Sequence, residues 1–478
     1  MNIVPLSRAE NGRQKIAVVG SGIAGASAAW ALSSTADVTL YEAEDRAGGH
    51  TATVDVDYDG RAVPVDTGFI VYNELNYPEL TNLFAHLGVA THESRMGFGL
   101  SLDEGRLEWS GQSYRSIFAQ PRNALSPSFL RMLSEILRFN RTCVSDRDSG
   151  RLAGHSIGSY LADAGFSTAF RDNYLIPMAA AIWSTPRVKM LDFPASTFVT
   201  FFENHRLIHE DRPIWRTVTG GSRSYLEKLL APLRGRVRLS SPVETVIRDA
   251  LGVTIWAGGR EPERFDAVVL AGHSDQTLAL LGDASPLEAS ILSSIQYRPN
   301  RVVLHRDPRL MPRRRGVWSA WNYLRSSFPG GEPEVSVTYW MNELQDIDRS
   351  MPLFVSLNPV IESRAELTFG DWSFAHPQFD AAAISAQARL GEIQGHRRTW
   401  FAGAWTGFGF HEDGLRSGLD AAEGLGAIIP WRAPADLGVE LAAAAEQDRG
   451  SWHSPNASPP WPRMAARPTR RSRSIRAR

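Results

Sequence analysis

The sequence predicts an α/β fold, and two stretches predict it. The first is a strand–loop–helix–strand run beginning at residue 15, with three spaced glycines. The second is FAGAWTGFGFHEDGLRSG, residues 401–418, which reads as a short apolar strand, a glycine-rich turn and the start of a helix. Helix N-termini present unpaired N–H groups and a positive dipole end, so both turns suit a polar or anionic ligand edge.

The first stretch is KIAVVGSGIAGASAAWALSSTADVTLYEAE. Residues 16–19 form a buried-strand run, and Gly20, Gly22 and Gly25 then make G-x-G-x-x-G around Ser21, Ile23 and Ala24. An alanine-rich helix is expected from residue 23 to about 32, and a second strand over 38–41 that ends at Glu42 and Ala43. Each glycine has a task. Gly20 allows the tight turn, Gly22 admits a pyrophosphate to the backbone, and Gly25 lets helix and strand pack closely. Glu42 lies 22 residues beyond Gly20, where a carboxylate can bind a ribose hydroxyl pair. This order of parts predicts a Rossmann-type dinucleotide site. An acid there disfavours a 2′-phosphate, which leaves FAD and NAD open. Just after Glu42 come Arg46, Gly48, Gly49, His50 and Thr51. This second glycine pair prolongs the cradle along a longer cofactor. The stretch VPVDTGF then returns a strand to Thr67 and Gly68.

These motifs resemble those of flavin-containing amine oxidases and their relatives, including phytoene-type desaturases. VDTGFIVYNELNYPEL, SAWNY at 319–323 and VTYWMNELQ at 337–345 are similar to a narrower branch of bacterial NAD/FAD-binding proteins. That branch includes enzymes that desaturate methylated fatty-acyl chains of phospholipids. The resemblance covers about residues 14–430. It implies FAD held by a discontinuous Rossmann-type domain of residues 14–75, 211–275 and 395–430. An inserted α+β substrate domain, a mixed sheet plus helices, would comprise 76–210 and 276–394. VTGGSRSYLEKLLAPL at 218–233 resembles the family's glycine turn and helix, RVRLSSPVETVIRD a strand pair around Val243, and FDAVVLAGHSDQTLALL the strand returning to the FAD domain. By resemblance the Val243 backbone faces the adenine, and Ala271 and Gly272 run under the cofactor. Gly403 and Ala404 would approach the ribityl or pyrophosphate region, and Gly414, Leu415 and Ser417 the ring edge. The last helix would then point its N-terminus at the flavin N1–C2=O edge, favouring the reduced anion. A long cofactor thus accounts for glycine turns at both ends of the fold.

Two departures bear on substrate. Amine oxidases usually place a lysine near flavin N5, and this chain has three lysines, Lys15, Lys189 and Lys228. The matching strand, YRPNRVVLHRD from residue 297, offers Asn300 or Arg301 instead. The paired aromatic rings that flank an amine also lack a clear counterpart in WTGFGFHEDGL. The intervening segments are rich in aromatic residues and Met, as in NYLIPMAAAIWS and FPASTFVTFFENHRLI. They read either as ordinary core or as an apolar channel. The expected reaction is removal of two hydrogens, with hydride passing to N5, from an apolar small molecule or fatty-acyl lipid. An amine oxidase is the alternative, and a flavin-dependent isomerase or non-redox FAD protein is an alternative of another class. His411 is the candidate group to take the proton, and also reads as a hydrogen-bonded loop histidine. Asp413 reads equally as a helix cap. His205 and His209 stand at i, i+4 without a third ligand, so no metal site is expected.

Net charge is −1, but residues 461–478 hold seven arginines and no acid, leaving −8 for the rest. Residues 433–478, poor in branched aliphatics and rich in Ser and Pro, read as a disordered basic tail. It suits peripheral contact with anionic lipid head groups, at roughly 1 kcal/mol per basic residue near such a surface. An acidic body without a recognition motif argues against nucleic acid. The single cysteine, Cys143, excludes an intrachain disulfide. With no apolar leader at the N-terminus, a cytoplasmic protein is expected, peripheral to the inner face of the membrane if the tail binds lipid.

Overall fold

The computed structural model describes residues 12–183, 187–209, 211, 213–326 and 334–432. The basic tail expected over 433–478 lies outside the described residues.

The layer that positions the site is a five-stranded parallel sheet. β1 (Lys15–Val19) runs into α1 (Ile23–Leu32) and β2 (Asp37–Tyr41). β3 (Val237–Arg238), β4 (Ala267–Leu270) and β5 (Thr399–Phe401) join from far along the chain, and α2 (His411–Gly424) follows. The order is β3-β2-β1-β4-β5. Ile16, Ala17 and Val18 on the central strand are 0% exposed, as a parallel strand covered on both faces requires. β1 pairs with β2 on one side and β4 on the other, so the strand order switches at the carboxyl end of β1. Ligands bind at such switch points.

Two glycines make this layer compact. A Cβ on Gly25 would lie 1.8 Å from the Gly20 carbonyl oxygen, so only glycine lets α1 fold back onto its loop. A Cβ on Gly418 would lie 2.1 Å from the Ala24 oxygen, so α2 crosses α1 at near backbone contact.

The stretch around Val243 departs from the expected strand pair. Val237–Arg238 joins the parallel sheet, while Val243–Arg248 belongs to a separate three-stranded antiparallel sheet. Pro242, lacking an N–H, interrupts the ladder between them. Ser240, at φ 45°, turns the chain so that Ser241 N donates to the Glu42 oxygen at 2.8 Å.

The α+β part is built on a seven-stranded mixed sheet. It draws Phe98–Leu102 and Leu107–Ser110 from the first inserted segment and the remaining strands from the second. Only the pairing of Phe98–Leu102 with Trp321–Ser326 is parallel. The helices Pro127–Asp148, Ile176–Trp183 and Ala195–Asn204 surround a core of Phe139, Phe170, Phe198 and Phe202. The long helix begins where Ser126 Oγ accepts from Phe129 N at 3.3 Å, with Pro127 in its first turn. The chain is therefore the α/β protein with a mixed-sheet second part that its motifs predict. Among the described residues no helix is long and apolar enough to cross a membrane.

Candidate functional site

A cavity of about 700 Å³ opens at the switch point. Its wall includes Gly20, Ser21, Gly22, Ile23, Ala24 and Glu42, then Gly49, His50, Thr67 and Gly68, and finally Ala271, Gly403, Ala404 and His411. The two glycine turns, nearly 400 residues apart in sequence, thus border one space.

The other residues singled out from the sequence stand off the wall. Gly25 packs against Gly20, and Ala43 is exposed. Arg46 donates to the Gly49 oxygen at 3.0 Å, and Gly48 N donates to Ser21 Oγ at 3.0 Å. Thr51 Oγ1 bonds Tyr225 OH at 2.7 Å. Val243 opens its strand and packs into the core beside the parallel sheet. Gly403 N donates to Ser417 Oγ at 2.9 Å, while Gly414 abuts Ile23 and Leu415 is fully buried.

At the first turn, Glu42 accepts from Ser21 N at 2.9 Å and from Glu44 N at 3.0 Å, and also bonds Ser21 Oγ. Its carboxylate pins the end of β2 to the loop after β1. A Cβ at Gly22 would meet nothing within 4 Å, so this loop leaves open space at the N-terminus of α1.

At the other turn, His411 starts α2. Its ring stacks on Phe69, with centroids 3.9 Å apart, and its Nε2 is hydrogen-bonded to Tyr225 OH. Burial lowers its pKa to about 3. Asp413 accepts from Phe408 N and Phe410 N, both at 3.0 Å, and so locks the turn before the helix. Glu412 points elsewhere. Its carboxylate accepts Glu79 N at 2.8 Å and Leu80 N at 3.0 Å, capping helix Pro78–Leu87, and burial raises its pKa to about 7.

Several residues of the site carry no sequence signal. Asp66 is a buried carboxylate that accepts Ser222 N at 2.9 Å, Thr53 Oγ1 at 2.6 Å and Gln345 Nε2 at 3.0 Å. It ties three distant segments together beneath Thr67 and Gly68, and burial raises its pKa to about 6. His376 lines the cavity with its ring centroid 5.3 Å from that of His50, and its Nδ1 is 3.2 Å from Asn300 Nδ2. Asn300 accepts from Asn358 Nδ2 at 2.8 Å. Arg301, the other residue considered for the lysine position, turns away to Glu362 and Asp371. Burial lowers the pKa of His376 to about 4 and also depresses His50 and His273, so the ring nitrogens facing this cavity are neutral near pH 7.

The helical spacing of His205 and His209 is not realised. The helix Ala195–Asn204 ends before them, and His205 Nδ1 bonds the Phe201 oxygen at 3.0 Å. Among the described residues no cluster of three or more His, Cys, Asp or Glu is placed to hold a metal ion.

A dinucleotide fits these residues. The space at Gly22 is open, the N–H groups of α1 border it, and His50 Nε2, on the same wall, is buried without a hydrogen-bond partner. A bound flavin supplies the acceptor for a hydride.

Comparison with known proteins agrees. Residues 23–425 match the flavin containing amine oxidoreductase family. No curated protein matches the chain. A putrescine oxidase double mutant has a similar fold, with TM-score 0.62 at 18% identity over 87% of this chain and 99% of its own. Cyclohexylamine oxidase from Brevibacterium oxydans IH-35A gives 0.62 at 16% identity, covering 86% and 98%. The CLA-producing fatty acid isomerase from P. acnes gives 0.60 at 16% identity, covering 88% and 99%. With both glycine turns on one cavity and the family match spanning nearly all of the described fold, the chain belongs to the flavin-containing amine oxidoreductases and is an FAD-dependent oxidoreductase.

Proposed function

We propose that this oxidoreductase removes two hydrogens from an apolar, acyl-type chain rather than from a simple amine. The observation that carries the reading is the lining of the cavity. Away from the first turn it is walled by Met96, Phe98, Met178, Ile182, Leu207 and Leu357. Among the described lining residues Glu42 is the only carboxylate, and it sits in the first turn. An ammonium substrate entering this space would lose its hydration without gaining an anionic partner among the described residues of the apolar wall, which is costly. An acyl chain loses nothing polar, and the burial of its methylenes is favourable at roughly 0.8 kcal/mol each.

The chain's own residues position and shield the substrate. The aromatic wall of Phe201 and Phe410, with ring centroids 5.2 Å apart, excludes water from the apolar end. His411 is a weak base already bonded to Tyr225, so it serves better as a neutral hydrogen-bonding wall than as the proton acceptor expected from the sequence. Asn358 and Asn300 hold the His376 ring in place. The fatty acid isomerase among the structures of similar fold supports the acyl class, and the putrescine and cyclohexylamine oxidases support the amine alternative.

Anaerobic mixing with a panel of primary amines, polyamines and phospholipids carrying defined acyl chains tests this. The expected result is flavin bleaching by an acyl lipid, with the amines inert. Rapid bleaching by an amine with all acyl lipids inert would overturn the substrate reading. An acyl product formed without net flavin reduction would point to isomerisation.

A further inference from the structure

Helix Pro127–Asp148 buries Phe129, Met132, Glu135, Phe139 and Cys143. At about 100° per residue, these lie mainly on the side opposite Leu130 and Leu137. Those two leucines are 43% and 53% exposed. With Arg141 they form one stripe down the middle of the solvent face, flanked by Arg131 and Arg138. The turn Pro121–Leu125, which leads into the helix, adds exposed Arg122 and Leu125, the latter 84% exposed. A surface helix ordinarily keeps polar residues at the centre of its wet side. Leucines there serve no core.

The charge is as uneven as the hydrophobicity. Residues 111–145 contain five arginines and one acid, Glu135. Glu135 is buried and accepts Ser167 N at 3.2 Å, as well as pairing with Arg131 at 3.0 Å and Arg138 at 3.8 Å. Arg122 donates to the Arg106 carbonyl oxygen, and the ion pairs of Glu135 go to Arg131 and Arg138, not to Arg141. The chain outside the basic tail is net acidic, so this cationic face stands against the average of the molecule.

From this charge complementarity we infer that the face is a docking surface for an anionic lipid bilayer. Leu125, Leu130 and Leu137 enter the boundary between head groups and acyl chains, and the arginines meet lipid phosphates. A helix with apolar residues set among basic ones lies in that interface plane. Nucleic acid offers the phosphates but no apolar layer beneath them for the leucines. The surface is independent of the substrate reading.

The test uses the full chain. Cys143 is the only cysteine and is buried, so Leu137→Cys can be labelled selectively with a nitrobenzoxadiazole dye. Leu239→Cys, at a 40% exposed position on another segment, is the control. Each is mixed with phosphatidylcholine vesicles with and without phosphatidylglycerol. The expected result is a rise in emission for the Leu137 label with anionic vesicles alone, and none at Leu239. Arg122→Glu combined with Arg141→Glu should weaken vesicle partitioning by roughly tenfold or more while flavin content stays unchanged. A flat Leu137 signal on vesicles that sediment the protein would overturn the proposal, because the basic tail would then carry the binding. An equal rise at Leu239, unchanged partitioning of the double variant, or no sedimentation would overturn it too. None of these arms measures turnover, so their failure leaves the acyl-chain reading standing.

Discussion

Replacing Gly22 with valine separates the fold from its cofactor. Gly22 sits at φ −59° and ψ 176°, a region open to any residue, and a Cβ there meets nothing within 4 Å. The apoprotein should therefore keep its stability to within about 0.5 kcal/mol, as for a substitution without steric conflict. The open space, however, is part of the cavity wall. An isopropyl group in it would push a pyrophosphate away from the N–H groups of the loop. Hydrogen bonds to a charged group contribute about 1.5–3 kcal/mol each. Losing two of them gives about 3–6 kcal/mol, or roughly 10²–10⁴-fold weaker binding. In the presence of FAD at about 100 times its Kd, wild type gains about 2.7 kcal/mol of stability, and the variant should gain almost none. The assay is calorimetric titration of apoprotein with FAD, paired with melting curves with and without it. Gly25→Ala is the contrast, because its Cβ would strike the Gly20 oxygen at 1.8 Å and the loop itself must distort. It should lower the melting temperature even without FAD. A Gly22→Val protein that purifies fully loaded, with the wild-type thermal shift, would refute the reasoning.

Glu412 has its folded pKa raised to about 7 by burial, from 4.5. A raised carboxyl favours the folded state at low pH, and that contribution is lost as pH rises through 7. Wild type should thus lose about 3 kcal/mol relative to Glu412→Gln between pH values of about 4.5 and 8. Urea unfolding at each pH measures this, and a constant difference would show that the carboxyl is not buried as described. His411→Gln should keep its flavin and be reduced within about tenfold of the wild-type rate; a loss of 10² or more, roughly the scale for a positioned acid or base, would restore the proton-acceptor role. Deleting 433–478 should leave flavin content and melting temperature unchanged, since the segment has few branched aliphatics to bury. Loss of flavin on deletion would place the tail in the fold.

Much of the first turn was legible in the sequence because its contacts are local. Strand, glycine loop, helix and Glu42 follow one another within 30 residues, and backbone sterics dictate which positions need glycine. The stretch 401–418 was legible as a turn and helix start for the same reason. Its position beside the first turn, however, depends on β4 lying next to β1 and β5 next to β4 in the sheet. His411 shows the limit of local reading. Its side chain offers a base, but stacking on Phe69 and the bond to Tyr225 make it a neutral ring.

By itself the sequence determined the α/β class, the dinucleotide loop and the family, because each rests on residue types at short, regular spacings. Only the tertiary structure decided what surrounds the cavity. It joined Asp66 to Ser222 and Gln345, turned Arg301 to the surface and Asn300 toward His376, and among the described lining residues left one carboxylate, in the first turn. It also set Leu130 and Leu137 on the wet side of their helix. Such pairings join residues tens to hundreds of positions apart. Which of them form depends on how sheets and helices pack, and on the cost of burying a charge without a partner. Neither is written in any short stretch of the chain.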